Sequence, residues 1–249
     1  VFGPVIVGVL ASTVGPSAPV VGAAVLSLIF VSAFALHRTS APAKSRAERA
    51  ATLEPASALF RPALLVTVAG VFAVGLYFGS MLTSLTAFMQ DRGAPEGAGL
   101  LYGAMGIGSA FLALSVALLP PRFTLRARWL VFGLLIFVGT IALQFVRSEF
   151  GMAASLVVMG FGIGPTLVNL YSFGAQRSPE GRSATVMTML GSGIMVGQSV
   201  GAAAAGILAA GVGTQTALML PLISACSILL AGGVNWWLTP GRGATPASR

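Results

Sequence analysis

The segment GSGIMVGQSVG, residues 191–201, places glycine at 193, 197 and 201 of an otherwise apolar run, one at every fourth position. In water each interior glycine costs a helix about 1 kcal/mol relative to alanine. Gly193, Gly197, Gly201 and then Ala205 lie along one side of a helix and make a smooth ridge. Lipid supplies no hydrophobic drive to bring helices together, so they associate by close van der Waals approach over small residues. The segment therefore predicts a membrane helix packed through its glycine side, with Gln198 at a helix contact.

Composition identifies the same solvent. Of 249 residues 56% are apolar and 8% charged, and mean hydropathy is +0.92. An ordinary soluble domain carries roughly a quarter charged residues. The charges also cluster in short stretches between long apolar runs, and about 20 apolar residues at 1.5 Å each cross a hydrocarbon core roughly 30 Å thick. The expected fold is all-α, a polytopic membrane helical bundle.

The expected spans are 20–36, 62–89, 97–119, 129–146, 151–175, 183–210 and 214–238. A shorter apolar run, 1–14, cannot span, so the chain is expected to begin partway through a helix. The long hydrophilic stretch is HRTSAPAKSRAERAATLEPASALFR, residues 37–61. Of the fourteen Lys/Arg, all but Arg92 and Arg147 fall on one side when loops are taken alternately. That side is read as cytoplasmic by the positive-inside rule, and Trp129, Trp236 and Trp237 are expected to anchor at the same interface. The net charge of +8 then serves topology and anionic lipid, not nucleic acid. The expected location is the inner (cytoplasmic) membrane.

No Asp, Glu, Lys, Arg or His falls near the middle of an expected span, and His37 sits at a helix end beside Arg38. Ionisable groups at that depth usually mark proton or ion paths. The sequence offers no metal site, no cofactor motif and no acid, base or nucleophile constellation, so neither a cofactor nor an enzyme is expected. Cys226 stands alone and cannot form an internal disulfide.

Polar residues do occur at membrane depth. Tyr77, Ser80 and Ser84 share a helix face beside Met81; Tyr102, Asn169, Phe173 and Gln198 lie in other spans. In MGFGIGP, Pro165 follows Gly160, Gly162 and Gly164, an expected bend. Either a substrate cavity lined by Tyr77, Met81, Ser84, Tyr102, Asn169 and Phe173, or hydrogen bonds that merely hold the bundle together, would use these residues.

GPVIVG (3–8), PPRFTLRAR (120–128) and GFGIGPTLVNLYSFGAQRSPEGRSATVMTMLGSGIMVGQSVGAAAAG (160–206) together resemble the major facilitator superfamily, most closely its bacterial efflux-type permeases. The resemblance implies two six-helix halves flanking a substrate path. Residues 1–36 would be the truncated fifth helix and the sixth helix of the first half, 37–61 the cytoplasmic linker, 62–238 the second half and 239–249 a cytoplasmic tail. Gly3, Pro4 and Gly8 are similar to the packing signature of family exporters, with Val7 where a glycine is expected. Arg122, Arg126 and Arg128 occupy the place of a family gating loop whose Asp and Gly are absent here. Arg177, Glu180 and Arg182 match a corresponding turn. The resemblance implies a proton-coupled exporter of a small organic molecule, with proton-coupling carboxylates in the first half. Uptake by the same fold and a non-transporting scaffold or sensor stay open.

Overall fold

A computed structural model describes residues 17–36, 53–94, 97–120, 122–146 and 148–239. The expected packing residues Gly3, Pro4 and Gly8, together with His37, most of the linker and the tail beyond Thr239, lie outside the described residues.

The helices are α1 (Ala18–Ala35), α2 (Pro62–Asp91), α3 (Gly97–Ser115), α4 (Leu125–Phe145), α5 (Glu149–Arg177), α6 (Ser183–Gly211) and α7 (Met219–Leu238). No strand occurs among the described residues. The bundle from α2 to α7 contributes six segments long and apolar enough to cross a membrane, the last counted from Thr214. α1 is apolar on every side and exposed along nearly its whole length.

Local chemistry sets the helix ends. Pro62 starts α2, where its missing N–H is not needed. Thr124 and Ser148 cap α4 and α5, each hydroxyl accepting a backbone N–H three residues on. The Thr124 cap starts α4 at Leu125, one turn before the expected boundary at 129, which draws Arg126 and Arg128 into its first turn. The expected span 214–238 is broken in two: a single turn, Thr214–Ala217, precedes α7. Gly213, at φ 110°, makes the reversal out of α6.

The helices pack in the order α6–α2–α7–α4–α5–α3, with α2 also touching α5 in the middle. At two of these contacts several glycines set backbone against backbone. A Cβ on Gly197 would lie 2.2 Å from the Phe72 carbonyl oxygen, and one on Gly201 2.3 Å from that of Leu76. α2 answers in kind: Gly75 and Gly79 meet the carbonyls of Ile194 and Gln198. The second seam joins α3 to α5, where Gly160 and Gly164 face the carbonyls of Met105 and Ser109, and Gly108 faces that of Val157. Gly162 turns the other way, onto Phe132 and Ile136 of α4. The glycines before Pro165 are thus packing surfaces on both sides of α5, which stays one continuous helix through the proline.

The ridge is not uniform. A Cβ on Gly193 would find only Val68, at 3.7 Å. Trp129 corrects the expectation of an interfacial anchor: it is fully buried, its indole N–H donates to the Ile228 carbonyl at 3.1 Å, and Gly70 and Gly232 leave room for its ring. Trp236 and Trp237 are exposed at the end of α7.

Gly197→Ala is expected to lower the thermal stability of the purified protein by about 1–3 kcal/mol through overpacking. Gly193→Ala, where a methyl fits and helix propensity improves, is expected to be neutral or stabilising by up to about 1 kcal/mol. Equal losses at both positions would contradict the seam.

Candidate functional site

Of the residues singled out from the sequence at membrane depth, all but Gln198 are held inside the helix packing; the Gln198 side chain is exposed, and only its backbone carbonyl makes the expected helix contact, against Gly79. Tyr77, Met81, Ser84, Tyr102, Asn169 and Phe173 are all buried. The Tyr77 hydroxyl lies 3.0 Å from the Thr140 hydroxyl and 2.8 Å from Met159 Sδ, with one proton to give to either. Thr140 in turn donates to the Ile136 carbonyl at 2.7 Å. This cluster joins α2, α4 and α5. Ser84 donates to the Ala217 carbonyl at 2.8 Å, tying α2 to the turn before α7. Asn169 donates from Nδ2 to the Leu125 carbonyl at 2.8 Å, while its Oδ1 is buried without a partner. Phe173 stacks obliquely on Trp129, ring centres 5.8 Å apart.

Asn169, Phe173 and Arg177 follow at four-residue steps, so one side of α5 carries them toward the end of the bundle. The Arg177 guanidinium lies 4.2 Å over the Phe173 ring. One of its terminal nitrogens donates to the Ala63 carbonyl and the Thr67 hydroxyl, both at 2.7 Å. The other donates to Asn235 Oδ1 at 2.5 Å and to the Thr239 hydroxyl at 2.9 Å. Arg126 reaches the same place from the first turn of α4: it donates to the Thr239 carbonyl and lies 5.0 Å over Trp236. A cleft of about 800 Å³ opens here, lined by Thr124, Arg126, Phe173, Gln176, Arg177 and Thr239 among others.

The remaining loop arginines differ from one another. Arg128 donates to the Phe123 carbonyl at 2.8 Å, and Arg122 is exposed. Arg182 donates to the Glu54 carbonyl at 2.6 Å, and the Glu180 carbonyl accepts from the Glu54 N–H at 3.2 Å. The loop before α6 is thereby clipped to the segment before α2. These contacts gather Arg61, Arg122, Arg126, Arg128, Arg177 and Arg182 at one end of the bundle; Arg92 lies at the other, near Met152.

A different polar surface is open at membrane depth. Thr185, Thr188, Ser192 and Ser199 follow at spacings that keep them on one side of α6, with Gln198 beside them, and all five are exposed. Thr188 and Ser199 donate to carbonyls of their own helix, at 2.9 and 3.0 Å. A shallow recess of about 470 Å³ lies against Thr188, Ser192 and Met195. The open sides of α3 and α7 carry Leu100, Ile107, Phe111 and Leu114, and Ile223, Leu230 and Trp237.

Sequence reasoning missed several of these groups. Gly75 and Gly79 show the same four-residue spacing as the α6 ridge, and the α6 hydroxyls are visible in TVMTMLGSGIMVGQS. Thr140, Met159, Asn235 and Thr239 carry no local signal, because their roles arise only where helices distant in sequence meet.

A family model described as Major Facilitator Superfamily matches residues 1–190. No curated protein matches the chain.

Tyr77→Phe and Thr140→Val are each expected to destabilise the protein by about 0.5–1.5 kcal/mol. In a double-mutant cycle followed by thermal unfolding the two losses should be less than additive, because one contact is removed twice. Strict additivity would show that the two hydroxyls do not interact.

Proposed function

The chain belongs to the Major Facilitator Superfamily, a family of membrane transporters, and on that premise we propose that it is a secondary active exporter of a small, amphipathic organic molecule. Residues 62–238 form the second six-helix half on this reading, and 37–61 the cytoplasmic linker. The basic end of the bundle faces the cytoplasm, and the protein resides in the inner membrane. Proton coupling resides in the first half that the resemblance implies, because the described spans hold no Asp, Glu, Lys, Arg or His at mid-depth. The export direction rests on the similarity of Gly3, Pro4 and Gly8 to the exporter signature.

The observation that carries the reading is the open side of α6. Hydroxyls and a carboxamide facing lipid gain nothing from it, whereas a water-filled path between two halves solvates them. The matching sides of α3 and α7 are apolar, as lipid or a packed neighbour requires. Alternating access needs a rigid half that rocks as a body, and the buried set Tyr77, Met81, Ser84, Tyr102 and Asn169 braces α2, α3, α4 and α5 in this way. Substrate then meets Thr188, Ser192, Met195, Gln198 and Ser199. Met195 supplies an adaptable apolar contact, and Phe173 stands at the basic mouth.

The test is proton-driven flux by the complete protein in vesicles. Gln198→Ala is expected to shift the relative kcat/KM of two exported compounds about tenfold, the value of one hydrogen bond. Ser192→Cys and Ser199→Cys, in a background lacking Cys226, should react with a water-soluble thiol reagent, and substrate should slow them. Leu114→Cys on α3 should stay unreactive. Absence of flux for every compound tried, with Ser192→Cys no more reactive than Leu114→Cys, would refute the reading.

A further inference from the structure

Among the described residues, the cleft at the basic end is lined by two arginines and no acid. Four of the five Arg177 N–H groups are taken, all by uncharged acceptors: the Ala63 carbonyl, the Thr67 and Thr239 hydroxyls and Asn235 Oδ1. The side chain is therefore fixed in place by neutral groups, with no carboxylate partner among the described residues. Arg126 has one uncharged acceptor, the Thr239 carbonyl, and the Trp236 ring. The ion pair found among the described residues joins Arg61 to Glu54, elsewhere at this end. Two guanidinium groups meeting at one residue, Thr239, repel each other unless an anion sits between them.

The rest of the cleft also suits an anion. Its wall includes Thr124 and Leu125, the start of a 21-residue helix whose first N–H groups and dipole favour negative charge. Behind the cleft wall, Asn235, whose Oδ1 accepts from Arg177, has its Nδ2 donor buried without a partner. The lining thus presents cationic donors and, among the described residues, no carboxylate. Depth points to its source. Trp236 lies over Arg126, and the neighbouring Trp237 is 85% exposed. An exposed indole pair at a span end sits at the headgroup level of a bilayer.

We propose that this cleft binds a phosphate oxyanion between Arg126 and Arg177, against the first turn of α4, and that the phosphate is the headgroup of an anionic lipid in the adjoining leaflet. Basic pockets between helix ends on the arginine-rich side are where such headgroups are held. Bound there, the lipid ties α4, α5 and α7 together at one end. The inference depends on membrane embedding and on this cleft; it does not depend on what the protein exports.

The complete protein, delipidated in a neutral detergent, would be titrated separately with phosphatidylglycerol, phosphatidylcholine and inorganic phosphate while its thermal midpoint is followed. Phosphatidylglycerol is expected to raise the midpoint by several degrees at saturation and the other two by little. Arg126→Gln, which removes one charge and leaves the Arg177 hydrogen bonds in place, is expected to weaken the apparent affinity for phosphatidylglycerol at least tenfold. Arg92→Gln, at the opposite end, should leave that affinity unchanged. Stabilisation by inorganic phosphate alone would overturn the lipid assignment. Equal stabilisation of the wild-type protein and Arg126→Gln by phosphatidylglycerol, or no stabilisation of either, would overturn the site.

Discussion

Everything in this bundle depends on how closely two helices can approach when lipid, as apolar as their own side chains, surrounds them. Dispersion contacts are individually small and fall off steeply with distance, so removing a side chain from the interface brings backbones into contact. At the α2–α6 and α3–α5 seams the glycines of one helix sit against carbonyl oxygens of the other. The glycines of α2 and α6 are reciprocal, which makes that seam a pair of flat surfaces and not a knob in a hole. Each seam sets the spacing of its pair, and α4 and α7 then fill the space between the pairs with large side chains, Trp129 foremost.

Polarity inside the bundle follows from the same solvent. A hydroxyl without a partner in hydrocarbon is costly, and most buried ones here bond either to the carbonyl four residues back, as Thr67, Thr166 and Ser224 do, or across helices, as Tyr77 and Ser84 do. The cross-helix bonds add direction to packing that glycine alone leaves free to slide. One such cluster, Tyr77 with Thr140 and Met159, fixes α2, α4 and α5 against one another. Two sets of polar groups outside this scheme are on the open side of α6 and at the arginine cleft.

The two ends of the bundle are unlike. At one, arginines reach inward to uncharged acceptors and aromatic rings; at the other, Asp91 accepts from Thr214 at 2.7 Å and Gln144 donates to the Leu218 carbonyl at 2.8 Å. Arg177 shows what the asymmetry does locally. It lies at a helix C-terminus, where a cation is favoured, and its hydrogen bonds draw the starts of α2 and the end of α7 onto α5.

The sequence alone determined that the chain is helical and embedded in lipid, where the six spans from 62 to 238 fall, where its arginines gather and which side of α6 is a packing ridge. These are one-dimensional properties: apolar run length against bilayer thickness, charge clustering and a four-residue period. Tertiary structure decided the partners. Nothing local says that Gly75 and Gly79 complete the α6 ridge, that Gly160 and Gly164 serve α3, or that Trp129, near a span end, is swallowed whole while Trp236 is not. The six side chains chosen as a cavity lining have the right chemistry, yet which of them faces a neighbour and which faces open space depends on helix rotation about its axis. A stretch of helix too evenly apolar to show a preferred side leaves that rotation undetermined, and only the fit of one backbone against another sets it.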